Sequence, residues 1–133
     1  MPRPDAPPHG AHVLLVEDDA PLREVVALIL AEEGYRAHAA PDGAAALALL
    51  EAPDAPPVGA VLLDLRLPDM NGTEVARRLR NGKGTGGIPV VALTASAYAW
   101  SSDRLLAAGF DGYLQKPIDV RAFPEQVRGF CKL

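Results

Sequence analysis

The sequence predicts an α/β fold: one doubly wound sheet of five parallel strands, in the order 2-1-3-4-5, with five helices on its two faces. Three observations predict it. Short apolar runs alternate with segments whose apolar residues recur at helical spacing. The short runs are rich in Val, Leu and Ile throughout, as strands buried on both faces are. The chain has 133 residues, the size of one domain.

The first strand reads from His12 to Glu17, an apolar run ending in acids. Pro21 suits the first turn of a helix, and Leu22, Val25, Val26, Ile29 and Leu30 follow as its core stripe, with Gly34 as its stop. A weak strand spans 35–39. Asp42 caps a helix rich in Ala and Leu that runs to about Glu51, and a Pro-rich loop covers 53–57. The third strand, 58–63, runs straight into Asp64. A loop with Pro68 and Asn71-Gly72 leads to a helix from Thr73 to about Arg80. Gly-rich 81–87 breaks the chain before a strand at 88–93. A short helix near 102–108, a brief strand at 112–114 and a last helix carrying Phe123, Val127 and Phe130 complete the pattern. Pro124 leaves the start of that helix open, because proline is comfortable only in the first turn.

Residues 1–11, Pro-rich and without an apolar stretch, read as a flexible leader, and 12–133 as the domain. The net charge of −4 and the pI near 5.3 argue against nucleic acid as a partner, since a phosphate backbone calls for a basic face. No stretch has the length of apolar residues that spans a membrane. A single cysteine, Cys131, cannot form an internal disulfide, which favours a cytoplasmic setting.

In sheets of this kind ligands bind outside the carboxyl ends of the strands. Those ends carry Glu17, Asp18 and Asp19 from the first strand, Asp64 from the third, Thr94 from the fourth and Lys116 from the fifth. Clustered carboxylates repel unless a cation or a proton neutralises them, and a hard cation such as Mg²⁺ takes oxygen ligands. A carboxylate beside that cation can attack phosphorus, while a lysine and a threonine hydroxyl supply donors to the phosphoryl oxygens.

Four fragments carry a family resemblance: Val13-Leu-Leu-Val-Glu-Asp-Asp19, Val61-Leu-Leu-Asp-Leu-Arg-Leu-Pro-Asp-Met-Asn-Gly72, Val90-Val-Ala-Leu-Thr-Ala95 and Ala107-Ala-Gly-Phe-Asp-Gly-Tyr-Leu-Gln-Lys-Pro117. In this order and spacing the chain, over roughly 11–132, resembles the receiver domains of two-component response regulators, which have the flavodoxin-like form of the doubly wound sheet. The resemblance implies that Asp64 is the phosphoacceptor. Asp18 would bind Mg²⁺ (or Mn²⁺) directly, Glu17 would hold a metal-bound water, and the Arg66 backbone carbonyl would complete the protein ligands. Thr94 would hydrogen-bond the phosphoryl oxygen, Lys116 would pair with it, and Tyr113 would turn inward as Thr94 is drawn to the phosphate. The Lys116-Pro117 bond would be cis. The donor would be a histidine kinase or a histidine phosphotransfer protein. A downstream target protein would read the face formed by the fourth helix, fifth strand and fifth helix. Such a domain is a signalling switch rather than a dedicated enzyme, although it hydrolyses its own aspartyl phosphate.

Other residues have plainer readings. Asp19 reads as a helix cap, and the helical stripes as core. His9, His12 and His38 are scattered and fit no metal spacing. Arg66 and Ser96, two residues beyond Asp64 and Thr94, would flank the phosphoryl group and set its lifetime. Trp100 would either face a partner or fill a gap. Three alternatives stand beside the receiver. A magnesium-dependent aspartyl-phosphate phosphatase typically has an acid where Arg66 stands. A flavin or nucleotide module needs a Gly-rich loop where Glu17-Asp-Asp-Ala-Pro21 stands. A degenerate receiver would act as a phosphorylation-independent adaptor.

Overall fold

Strands apolar on both faces must be covered on both faces, and the computed structural model shows how this chain does so. It describes residues 11–82, 84–95 and 102–130, so His9, Ser96, Trp100 and Cys131 lie outside the described residues. The elements, in chain order, are β1 (His12–Val16), α1 (Ala20–Glu32), β2 (Arg36–Ala40), α2 (Gly43–Glu51), β3 (Val58–Asp64), α3 (Gly72–Asn81), β4 (Val90–Thr94), α4 (Ser102–Ala107), β5 (Gly112–Gln115) and α5 (Phe123–Phe130). The sheet has the order β2-β1-β3-β4-β5, and every pairing is parallel. The fold is the expected one.

One face of the sheet packs Val13, Leu15 and Leu62 against Val26 and Leu30 of α1 and Phe123 and Val127 of α5. The other packs Leu14, Val61 and Leu63 against Leu47 of α2, Val75 and Leu79 of α3 and Leu105 of α4. All seven residues of β3 are buried, which fixes this strand as the centre of the sheet. Asp64 thereby stands at the end of a strand buried along its whole length.

The strand limits differ from the sequence reading by one or two residues, for reasons of hydrogen bonding. Gly34 takes φ 96° at the end of α1, and the Tyr35 N–H donates to the Leu30 carbonyl in that turn, so β2 starts at Arg36. The Ile88 N–H donates to the Thr85 carbonyl and Pro89 has no N–H, so β4 starts at Val90. Pro124 falls in the first turn of α5, where it costs no hydrogen bond.

Two expectations need correction. The α1 stripe is not all core: Val25, one of its five residues, is 52% exposed, and Leu28, outside the stripe, is 60% exposed. A helix on one face of a sheet buries about a third of its circumference, and Val26 and Leu30 fill that share. Nor are His12 and His38 scattered. His12 and His38 stack with ring centroids 5.1 Å apart, and His12 Nδ1 lies 2.8 Å from His38 Nε2. Parallel pairing of β1 with β2 places His38 beside Leu14, two residues beyond His12 on the same face, a proximity that linear spacing does not report.

Candidate phosphoacceptor site

The carboxyl ends of β1, β3, β4 and β5 open into one cleft of about 600 Å³ between the turns that follow them. Glu17, Asp18, Asp64, Arg66, Thr94 and Lys116 line it together, as the sequence predicts. Each arrives by a short local device. The Glu17 N–H donates to the Ala40 carbonyl (3.0 Å), which continues the ladder by one residue past β1. Asp19 caps α1, accepting from the Leu22 N–H at 3.2 Å, so the chain turns away just after Asp18. The Lys116 N–H donates to the Thr94 carbonyl (2.8 Å), which sets Lys116 beside β4. The Lys116-Pro117 bond is cis, as expected.

The charges meet at Lys116. Its ammonium donates to Glu17 Oε1 at 3.0 Å and Oε2 at 3.2 Å, and to Asp64 Oδ2 at 2.9 Å. The remaining Asp64 oxygen, Oδ1, accepts from the Arg66 N–H at 2.9 Å. Glu17, Asp18 and Asp64 each bring a carboxylate oxygen to within 4.8 Å of the others. Glu17 is only 2% exposed, whereas Asp18 stands exposed at the mouth. Three carboxylates this close form a hard oxygen donor set that fits Mg²⁺.

Burial makes the two inner acids unequal. The Glu17 carboxyl is pushed up to about 7 by burial first and then by its contact with Asp64, against the pull of Lys116. Burial acts upward on Asp64 as well, but the Glu17 contact, the Arg66 N–H and Lys116 together hold it below its ordinary value. Burial and crowding thus favour protonation of Glu17 over that of Asp64. Burial works against the Lys116 charge, yet Asp64 and Glu17 raise its pKa.

The match to the response regulator receiver domain model runs from residue 13 to 128. This chain belongs to that family. A probable transcriptional regulatory protein of Picosynechococcus is 37% identical over 92% of the chain, and the chain spans about half (49%) of that relative's length. A chemotaxis response regulator of Vibrio cholerae superposes with a TM-score of 0.83 and 26% identity, over 91% of this chain and 98% of that one. The receiver domain of a Pseudomonas aeruginosa sensor histidine kinase gives a TM-score of 0.77 at 29% identity, over 91% of this chain and 97% of its own, and has a magnesium ion coordinated in its active-site cleft. Receiver domains serve two-component signalling, and their acidic pocket binds Mg²⁺.

Several residues that shape this receiver went unread in the sequence. Arg23 on α1 donates to the Glu17 carbonyl at 2.8 Å and so steadies the acidic turn from outside. Gly72 lies so close to the end of β3 that an added Cβ would sit 2.6 Å from the Asp64 carbonyl oxygen. Asp69 reaches away from the cleft to α2. The Asn71-Gly72 pair signals a turn, but nothing local signals which element that turn will touch. Tyr113 is 42% exposed, on the outer surface rather than turned inward. The Arg66 side chain is exposed at the rim.

Proposed function

We propose that this receiver domain accepts a phosphoryl group on Asp64 from a histidine kinase or a histidine phosphotransfer protein, with Mg²⁺, and so switches a protein-binding surface. The observation that supports it most is the Lys116 ammonium on both Asp64 and Glu17, beside Asp18 and Thr94 at one sheet end. In the transfer an Asp64 oxygen attacks phosphorus, the P–N bond of the phosphohistidine breaks, and the imidazole leaves with its electron pair and takes up a proton. Asp18, Asp64 and the Arg66 carbonyl would hold the Mg²⁺, with Glu17 completing the acidic set. The bound cation supplies charge neutralisation for the phosphoryl oxygens. Lys116 leaves its carboxylate partners for the phosphoryl group, and the Thr94 hydroxyl, at the end of β4, donates to it.

Tyr113 and the apolar groove beside it support a response on the α4–β5–α5 side. That groove, about 310 Å³, is lined by Leu105, Leu106, Phe110 and Phe130 with Tyr113 at its edge. Drawing Thr94 toward the phosphoryl group opens space on this side, and inward rotation of Tyr113 biases the groove toward one of two shapes that a target protein distinguishes.

Beryllofluoride with Mg²⁺ stands in for the phosphoryl group and tests the proposal. The expected result is a Mg²⁺-dependent shift of backbone amides around Asp64 and across α4, β5 and α5, absent in Asp64→Asn. No binding to the wild-type chain would leave a phosphorylation-independent adaptor in its place. Shifts confined to the cleft would make the domain a phosphoryl relay.

A further inference from the structure

The phosphoacceptor loop, residues 65–71, is a narrow hairpin with its base at Asp64. Arg66 and Asn71 bridge across it, and the Gly72 N–H closes it on the Leu65 carbonyl at 3.0 Å. Its base is fixed to the site, because the Arg66 N–H donates to Asp64 Oδ1. Its tip is fixed elsewhere. Asp69 Oδ1 accepts from the Gly43 N–H and Oδ2 from the Ala44 N–H, both at 2.9 Å. Asp42 Oδ1 accepts from the next N–H, that of Ala45, at 2.8 Å. The first three N–H groups of α2 are thus divided between its own cap and a carboxylate that comes from the loop. Met70 packs against the same turn: an added Cβ on Gly43 would lie 2.7 Å from its side chain.

We infer that Asp69 is a positioning residue for the phosphoacceptor site, tying the loop that carries the Arg66 carbonyl to the N-terminus of α2. The inference rests on the phosphoacceptor reading of Asp64. The base of the hairpin is held by the Leu65 N–H on the Leu93 carbonyl and the Arg66 N–H on Asp64 Oδ1, and the two-point carboxylate clamp at the tip limits how far the loop can tilt about that base. Releasing the tip lets the Arg66 carbonyl drift from the position that a cation shared with Asp64 and Asp18 requires. The clamp is favourable electrostatically, since a carboxylate at a helix N-terminus meets the positive end of the helix dipole, and these two N–H groups hold the Asp69 carboxyl below its ordinary range.

A helix cap and a positioning residue predict different things, and Asp42 separates them. Asp42→Ala strips the same helix end of a carboxylate without touching the loop. Magnesium affinity of the full chain, followed by backbone amide shifts, is compared with melting temperature for wild type, Asp69→Ala, Asp42→Ala and Asp64→Asn. Both cap variants should melt lower. Asp69→Ala alone should bind Mg²⁺ about three- to tenfold more weakly, near the low end of what a ligand-supporting contact contributes. Wild-type affinity in Asp69→Ala, or equal weakening in Asp42→Ala, overturns the positioning role while leaving the function intact. Wild-type Mg²⁺ affinity in Asp64→Asn would remove the phosphoacceptor reading, and the inference with it.

Discussion

Glu17 and Asp64 share one ammonium, and the way they divide a proton has a consequence for stability. The Glu17 carboxyl, at about 7 in the folded chain against 4.5 as its ordinary value, binds more protons when folded than when unfolded between those two pH values. Its contribution to stability therefore falls as pH rises through that window. Asp64, held below 3.8, has the opposite sign: its contribution is present above that value and is lost as pH falls through the lower, folded one. His38, lowered by burial and by His12, also gains stability as pH rises, toward 6.5. Comparison with Glu17→Gln isolates the first effect. Urea denaturation without metal should show wild type losing on the order of 1–3 kcal/mol relative to Glu17→Gln between about pH 5 and pH 7.5. Equal slopes in the two chains would mean that Glu17 is ionised throughout. Which residue types occupy the site was legible, because Glu17, Asp64 and Thr94 directly follow apolar runs and Asp18 and Lys116 stand one residue further on. Where the proton rests was not, because it depends on burial and on partners 47 to 99 positions apart.

At the scale of elements, Arg80 is the contact that a reading of helix ends leaves out. It closes α3 in the sequence as one more charged residue of the last turn. In the fold its Nε donates to the Gly109 carbonyl at 2.8 Å and its Nη1 to the carbonyls of Gly86 (2.8 Å) and Ile88 (3.0 Å). Nη2 pairs with Asp111, whose carboxylate also accepts from the Val90 N–H at 2.7 Å. One guanidinium thus joins the end of α3, the entry to β4 and the turn between α4 and β5. Arg80→Ala should lower the unfolding free energy by about 2 kcal/mol, because several carbonyls lose a charged donor at once. Arg80→Lys should recover less than half, since an ammonium cannot reproduce the planar fork. Full recovery in a denaturation series would reduce Arg80 to a surface charge. Five-donor geometry makes such a hub possible, yet its partners lie up to 31 positions away, so no local pattern announces it.

For the whole molecule, the sheet order decides which parts open first. β3 is buried along its full length between β1 and β4, whereas β2 and β5 are edges, with burial broken by exposed positions. Hydrogen exchange should therefore find amides of β1, β3 and β4 protected to nearly the global unfolding free energy, with β5 exchanging earlier. That gradient would set Asp64, the proposed phosphoacceptor, on a little-yielding strand and Tyr113 on one of the most yielding. A switch needs this division: a fixed site and an edge that can move. Equal protection of β3 and β5 would remove the physical basis for transmission through Tyr113.

Element order, the parallel sheet and the residues at its carboxyl ends are all legible along the chain. Apolar runs and helical spacing report local burial, and chain order then fixes which ends face the cleft. Folding alone makes Lys116 bridge two acids, anchors the 65–71 loop on α2 through Asp69 and Met70, and brings His12 to His38. It also leaves Val25 and Leu28 exposed. Each of these depends on a crossover bringing together residues far apart in the chain, or on how much of a helix the sheet can cover. Periodicity along one segment carries no information about either.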